Sequence, residues 1–274
     1  MKLKKLSIPY AIWILFFIVF PLFLIVYYSV TTGSLRDFSN PQFSLEYFHR
    51  FFTSKYVKVL LNSIRLAFIS TVICLLIGYP TAYFISKVDK KYKAVLMLMI
   101  VIPMWMNFLL RTYAWIILTG KNGIINSVLI HFGFSPIKML YTEGAILMGM
   151  VYNFLPFMIL PIFSILDKSD YSLVEASYDL GASKLQTFLR VVFPMSLPGV
   201  ITGITMVFIP AISTFEISAL LGGNKYNLIG NIIEHQFRIA GNWHYGSAIS
   251  VVLIVMILLS CTYLHFAQKY HILL

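Results

Sequence analysis

The sequence predicts an all-α membrane protein with several spans, and three observations carry that prediction. Of 274 residues, 59% are hydrophobic and only 11% charged, with a mean hydropathy of +0.84. A soluble domain carries about 25% charged residues, so this chain has too little polar surface to cover a water-exposed body. The apolar residues fall in runs close to the ~20 residues a helix needs to cross the hydrocarbon core. These runs are continuous rather than alternating, which disfavours a β-barrel. Lipid offers no partner for backbone N–H and C=O groups, so the spans are helices.

Six runs qualify as spans, roughly 8–30, 60–86, 94–118, 142–166, 197–220 and 245–267. The first follows MKLKK and superficially looks like a signal peptide. It is too long for an h-region and no small-residue cleavage site follows, so it reads as a retained span. Pro21, Pro80, Pro103, Pro156, Pro161 and Pro210 lie within the runs and predict a bundle of kinked helices. No internal repeat, low-complexity tract or linker divides the chain, so residues 1–274 read as a single transmembrane domain.

Basic residues set the orientation. Lys2, Lys4 and Lys5 precede the first span, and KVDKKYK at 87–93 holds four lysines. The loops at 119–141 and 221–243 hold two basic residues each, while the 31–59 loop is an exception with Arg36, Arg50, Lys55 and Lys58. The density places both termini, and the polar break at 167–196, on the cytoplasmic side. The net charge of +11 collects at span ends, where anionic headgroups account for it better than nucleic acid does. Cys74 and Cys261 sit in apolar runs and suggest no disulfide framework. The six histidines show no metal-ligand spacing, and no nucleophile–base pattern marks an enzyme.

The break carries helix signals. Ser172 with Glu175, and Ser183 with Gln186, both fit the S-x-x-E/Q capping box, and Gly181 lies between them. Two short amphipathic helices are expected. Leu173, Ala176 and Leu180 share a face of the first, and Leu185, Phe188, Leu189 and Val192 a face of the second. Pro194 and Pro198 suit the entry to the fifth span. The first helix carries Glu175 and Asp179 and no basic residue, whereas lipid-binding interfacial helices are usually basic. It therefore reads as a peg for another protein.

EASYDLGASKLQTFLRVVFP at 175–194 resembles the "EAA" loop of bacterial ABC importer permeases, E-A-A-x3-G-x9-I-x-L-P. Glu175, Ala176, Gly181 and Pro194 match, and Ser177, Val191 and Phe193 are small departures. LLIGYPTAYF, IPMWMNFLLRTYAW, DLGASKLQTF and LLGGNKYNLIGN are similar to the first permease subunit of spermidine/putrescine importers. The resemblance covers essentially the whole chain. It implies a type I importer permease in the bacterial cytoplasmic membrane that binds no cofactor itself. Its implied partners are a second homologous permease, two cytosolic ATPases carrying ATP and Mg, and an extracytoplasmic polyamine-binding protein. Glu175, Ala176, Asp179, Leu180, Gly181 and Pro194 would form the ATPase-coupling loop. The chain has no G-x-x-x-x-G-K-[ST] phosphate loop of its own.

Glu216 falls within the predicted fifth span. An ionised carboxylate there costs about 2.5–3.5 kcal/mol, so it is expected to face a wet path or a partner. Trp105 with Asn107, and Tyr152 with Asn153, are polar–aromatic pairs near prolines that suit a passage for ammonium groups. Tyr113 and Trp115 fit an interfacial belt, and Arg65 and Arg111 fit snorkelling to headgroups. The rival readings are an importer for another solute such as sulfate or iron, a lipid-modifying membrane enzyme, and a scaffold or sensor whose peg recruits a regulator.

Overall fold

Helices dominate residues 8–33, 42–223 and 225–271, the portion described in this computed structural model. The amino-terminal lysines and Arg36 lie outside it. Helix α1 (8–29), which contains a π turn at Leu15–Val19, leads into a short hairpin of β1 (Thr31–Thr32) antiparallel to β2 (Gln42–Phe43). Then come α2 (Glu46–Phe51), α3 (Ser54–Lys87), α4 (Lys90–Trp105), α5 (Phe108–Thr119), α6 (Ile124–His131) and α7 (Glu143–Lys168). The remaining helices are α8 (Ser172–Asp179), α9 (Lys184–Ser213), α10 (Glu216–Gly222), α11 (Ile229–Arg238) and α12 (Trp243–His271).

Among the described residues, five helices are long and apolar enough to cross a membrane: Pro9–Ser29, Lys55–Lys87, Glu143–Lys168, Lys184–Ser213 and Trp243–Tyr263. The third apolar run, expected as one span over 94–118, is broken. Lys90–Trp105 and the helical stretch Phe108–His131 meet at 94°. Pro103 donates no backbone hydrogen bond near the end of α4, and Asn107 then starts a new helix. Its Oδ1 accepts the N–H groups of Leu109 at 2.8 Å and Leu110 at 3.4 Å.

The fifth run also departs from its expected bounds of 197–220. α9 begins earlier, at Lys184, and stops at Ser213. Thr214 is extended, and a separate α10 starts at Glu216. Glu216 therefore lies beyond the end of the span, not within it.

The core is the trio α3, α7 and α9, each packed along the other two. Gly199 and Gly203 on α9 let it approach α7 closely. A Cβ on Gly199 would lie 2.8 Å from the Pro161 carbonyl oxygen, and one on Gly203 2.8 Å from Met158 Sδ. Small residues four apart serve membrane helices in this way, because lipid supplies no hydrophobic drive between helices and close packing must hold them. Met158, Ile162, Val207, Ala211 and Ile212 are fully enclosed around this crossing. By contrast, α1 packs mainly on α12 and exposes Phe16, Phe17 and Phe23. His244 of α12 sets its two ring nitrogens 3.0 and 3.1 Å from the Tyr28 and Gly33 carbonyl oxygens.

Candidate coupling surface and substrate cavity

One end of the bundle carries a protruding turn formed by α8 and the start of α9. The two capping-box matches have different fates. Ser183 Oγ accepts the Gln186 N–H at 3.4 Å and Gln186 Oε1 accepts the Ser183 N–H at 2.9 Å, so that box is formed. The Ser172–Glu175 box is not formed. Ser172 is already helical, and its N–H donates to Asp170 Oδ1 at 3.0 Å instead. That amide draws the Asp170 carboxyl below its ordinary range.

Between the limbs, Gly181 has φ +81°, and no atom lies within 4 Å of the position a Cβ would take. The Gly181 N–H donates to Tyr178 O at 2.9 Å and the Ala182 N–H to Ser177 O at 3.0 Å. This is the Schellman ending that glycine favours. Ser177 Oγ and Thr187 Oγ1, 2.8 Å apart, tie the limbs together, and Thr187 and Val174 face inward.

The first limb keeps its expected face and the second does not. Leu173, Ala176 and Leu180 point outward, with Leu180 88% exposed. Leu185 and Leu189 are exposed too, whereas Phe188 is half-buried and Val192 buried. A π turn over Phe188–Val192 separates these residues onto two faces. It also lets the second limb run into the membrane helix without a stop at Pro194. The Phe193 N–H reaches back to Phe188 O, in a turn that already departs from the i→i−4 ladder proline would break. The result is an outward apolar patch, flanked by exposed Glu175 and Asp179, on a braced turn. Lys87 Nζ stands 4.1 Å from the Tyr171 ring centre at its base, and Lys93 pairs with Asp167.

Beyond the far end of α9 lies a cavity of about 800 Å³, lined by Tyr56, Phe215, Glu216, Asn227, Glu234 and His235 among others. Glu234 Oε1 pairs with Arg238 Nη1 at 2.9 Å, while Glu216 has no ion-pair partner among the described residues. Of these lining residues the sequence pointed to Glu216 and not to Glu234 or Tyr56. Glu234 fell in a stretch taken for a loop, and Tyr56 preceded the predicted second span.

The other candidate path residues are not on this cavity's wall. Trp105 is 79% exposed at the end of α4, and Asn107 caps α5. Tyr152 packs against Trp115 with ring centres 5.3 Å apart, so Trp115 is not a free belt residue. Asn153 is buried and donates from Nδ2 to Gly149 O at 2.8 Å. Arg111, expected to snorkel, is buried, with its guanidinium 6.0 Å from the ring centres of Phe108 and Tyr152. Arg65 Nη2 instead bonds Glu143 Oε2 at 2.7 Å.

Comparison with known proteins accounts for this architecture. The family described as binding-protein-dependent transport system inner membrane component matches residues 74–272. The chain is 40% identical over 261 residues to spermidine/putrescine transport system permease protein PotB of Haemophilus influenzae, covering 94% of this chain and 91% of that protein. To PotB of Escherichia coli it is 39% identical over 246 residues, covering 89% and 90%. A bacterial ABC transporter involved in the import of the acidic polysaccharide alginate superposes with a TM-score of 0.81 over 98% of this chain and 95% of that chain. Its 16% identity makes that a likeness of fold alone. The chain therefore belongs to the family of inner-membrane permease components of binding-protein-dependent transport systems.

Proposed function

We propose that this permease imports polyamine cations of the spermidine and putrescine class, and that a separate ATPase drives it by gripping the turn at 172–192. The observation that carries the drive is the outward patch of Leu173, Leu180, Leu185 and Leu189 around a left-handed Gly181. An apolar patch on a braced polar turn suits a protein groove, and its α8 limb carries Glu175 and Asp179 with no basic residue, unlike helices that bind anionic lipid, while Lys184 and Arg190 stand exposed on the second limb. The substrate class follows from the 40% identity to a spermidine/putrescine permease and from the carboxylates of Glu216 and Glu234 on one cavity wall. Ammonium groups leaving an extracytoplasmic binding protein would meet these carboxylates first. In this reading both termini and the peg are cytosolic, a second permease completes the pathway, and two ATPases supply ATP and Mg chemistry.

Reconstitution with the partner subunits tests this. Leu180→Asp is expected to abolish ATPase co-purification and spermidine uptake while the permease still assembles. An ATPase that binds Leu180→Asp normally defeats the docking reading. Uptake that discriminates against spermidine in favour of sulfate defeats the substrate reading.

A further inference from the structure

We infer that Phe188 is the positioning residue through which the peg moves α3, and that α3 carries this movement to the cavity. The inference rests on the reading of 172–192 as the ATPase docking surface. Its inner anchor is a block of four rings. Phe188 stands edge-on to Tyr79, with centroids 5.8 Å apart and planes at 90°, and to Tyr83 at 5.6 Å and 83°. Phe193 lies 5.8 Å from Tyr79 and 6.5 Å from Phe188. Residues five apart on an α-helix point about 140° away from each other, so a regular helix would turn only one of these phenylalanines toward α3. The π turn over Phe188–Val192 widens that stretch and brings both to the same side. A buried contact of 2.9 Å between Tyr79 Oη and Ser196 Oγ fastens the block, and Ser196 Oγ donates onward to Phe193 O at 2.8 Å.

The outer end of α3 is anchored equally firmly. Tyr56 forms part of the cavity wall, and Ser63 Oγ accepts the backbone N–H of Ile229 at 2.8 Å. Ile229 is the first residue of α11, the helix that brings Glu234 and His235 to the same cavity. Tyr56 and Tyr79 stand about 35 Å apart along one continuous helix. α9, which carries Phe188, breaks at Thr214, ahead of Glu216, and α7, though continuous and packed on α10, contributes no ring to the Phe188 block among the described residues. Coupling over such distances travels through packed side chains and rigid elements with discrete arrangements. Here α3 is the unbroken element that the Phe188 ring touches, and that ring is its grip on the peg.

The test uses the complete transporter in proteoliposomes, with Ala219→Cys on the cavity wall as reporter and Cys74 and Cys261 replaced by serine. Maleimide labelling of the reporter is compared with and without ATP, so the readout does not depend on which solute is carried. Phe188→Leu keeps apolar volume and removes the ring, while Phe188→Tyr keeps the ring. Both variants are expected to retain bound ATPase. The ATP-dependent change in labelling is expected to fall about tenfold in Phe188→Leu and to persist in Phe188→Tyr. An undiminished response in Phe188→Leu with ATPase bound overturns the inference and leaves the docking reading standing. A parent protein that fails to bind the ATPase overturns both. If Phe188→Leu does not assemble, Tyr83→Leu cuts the second edge contact at a half-buried site, and an undiminished response there overturns the inference equally.

Discussion

Gly199 on α9 lies against the backbone of α7, where an added Cβ would meet the Pro161 carbonyl oxygen at 2.8 Å and the Ile162 Cα at 3.0 Å. Backbone atoms cannot swing aside as a side chain does. Gly199→Ala is therefore expected to push the two helices apart at a cost of about 1–3 kcal/mol. At Gly203 the nearest atom is the Met158 sulfur, on a flexible side chain, and Gly203→Ala is expected to cost less. Thermal unfolding of the purified variants in detergent compares the two. Equal melting temperatures would contradict the asymmetry.

Gly181 presents the opposite situation, with open space but a left-handed backbone. Gly181→Leu is expected to cost about 1–2 kcal/mol at the turn and to loosen the peg without disturbing the bundle. ATPase co-purification and uptake should drop together. Gly181→Asn should retain both, because asparagine tolerates the left-handed region. Normal transport in Gly181→Leu would show that the turn is not held rigid for docking.

The two serines that match one capping pattern should behave differently. Ser183→Ala removes a formed box and is expected to cost about 1 kcal/mol, with faster hydrogen exchange of the amides that open α9. Ser172→Ala should leave exchange unchanged. Asp170 performs the equivalent task for α8. Its folded-state pKa is depressed, so its bond to the Ser172 amide is present above the ordinary carboxyl range and is lost as pH falls through the lowered value. Exchange at Ser172 should accelerate only in that acid window.

Glu216 and Glu234 share a cavity but not a circumstance. Glu216→Gln is expected to lower uptake at limiting spermidine about tenfold, the scale of one charge-assisted hydrogen bond, with assembly intact. Glu234→Gln should have the smaller effect, because its carboxylate already holds Arg238 one helical turn away. Initial rates across spermidine concentrations separate the two. Unchanged uptake in Glu216→Gln would leave that residue a structural role only.

Hydropathy made α1, α3, α7 and α12 readable in the sequence, since each is a continuous apolar run. It could not show that the third run turns through 94° or that the fifth ends at Ser213, because apolarity carries no backbone direction. The sequence held Pro103 and Asn107, yet a proline is often absorbed as a kink, and only the capping bonds of Asn107 turn this one into a break. In the peg, Gly181 and the Ser183–Gln186 box were plain. The Ser172 match misled because Asp170, two residues earlier, takes the same amide. The Leu173, Ala176 and Leu180 stripe was recognised as one face, but whether it pointed in or out depended on Val174 and Thr187 finding the interior. Glu234 was hidden because its helix lies outside any span and has low average hydropathy, although Ile229, Ile232, Ile233 and Phe237 recur on it at helical spacing.

Among the described helices, the earliest to leave the ribosome leans mainly on the last. α1 contributes almost nothing to the central trio, and its inner wall is completed by α12, with His244 reaching the Tyr28 carbonyl. α1 is thus made well before the helix that covers its inner face, and that face has no protein cover until synthesis has passed Trp243.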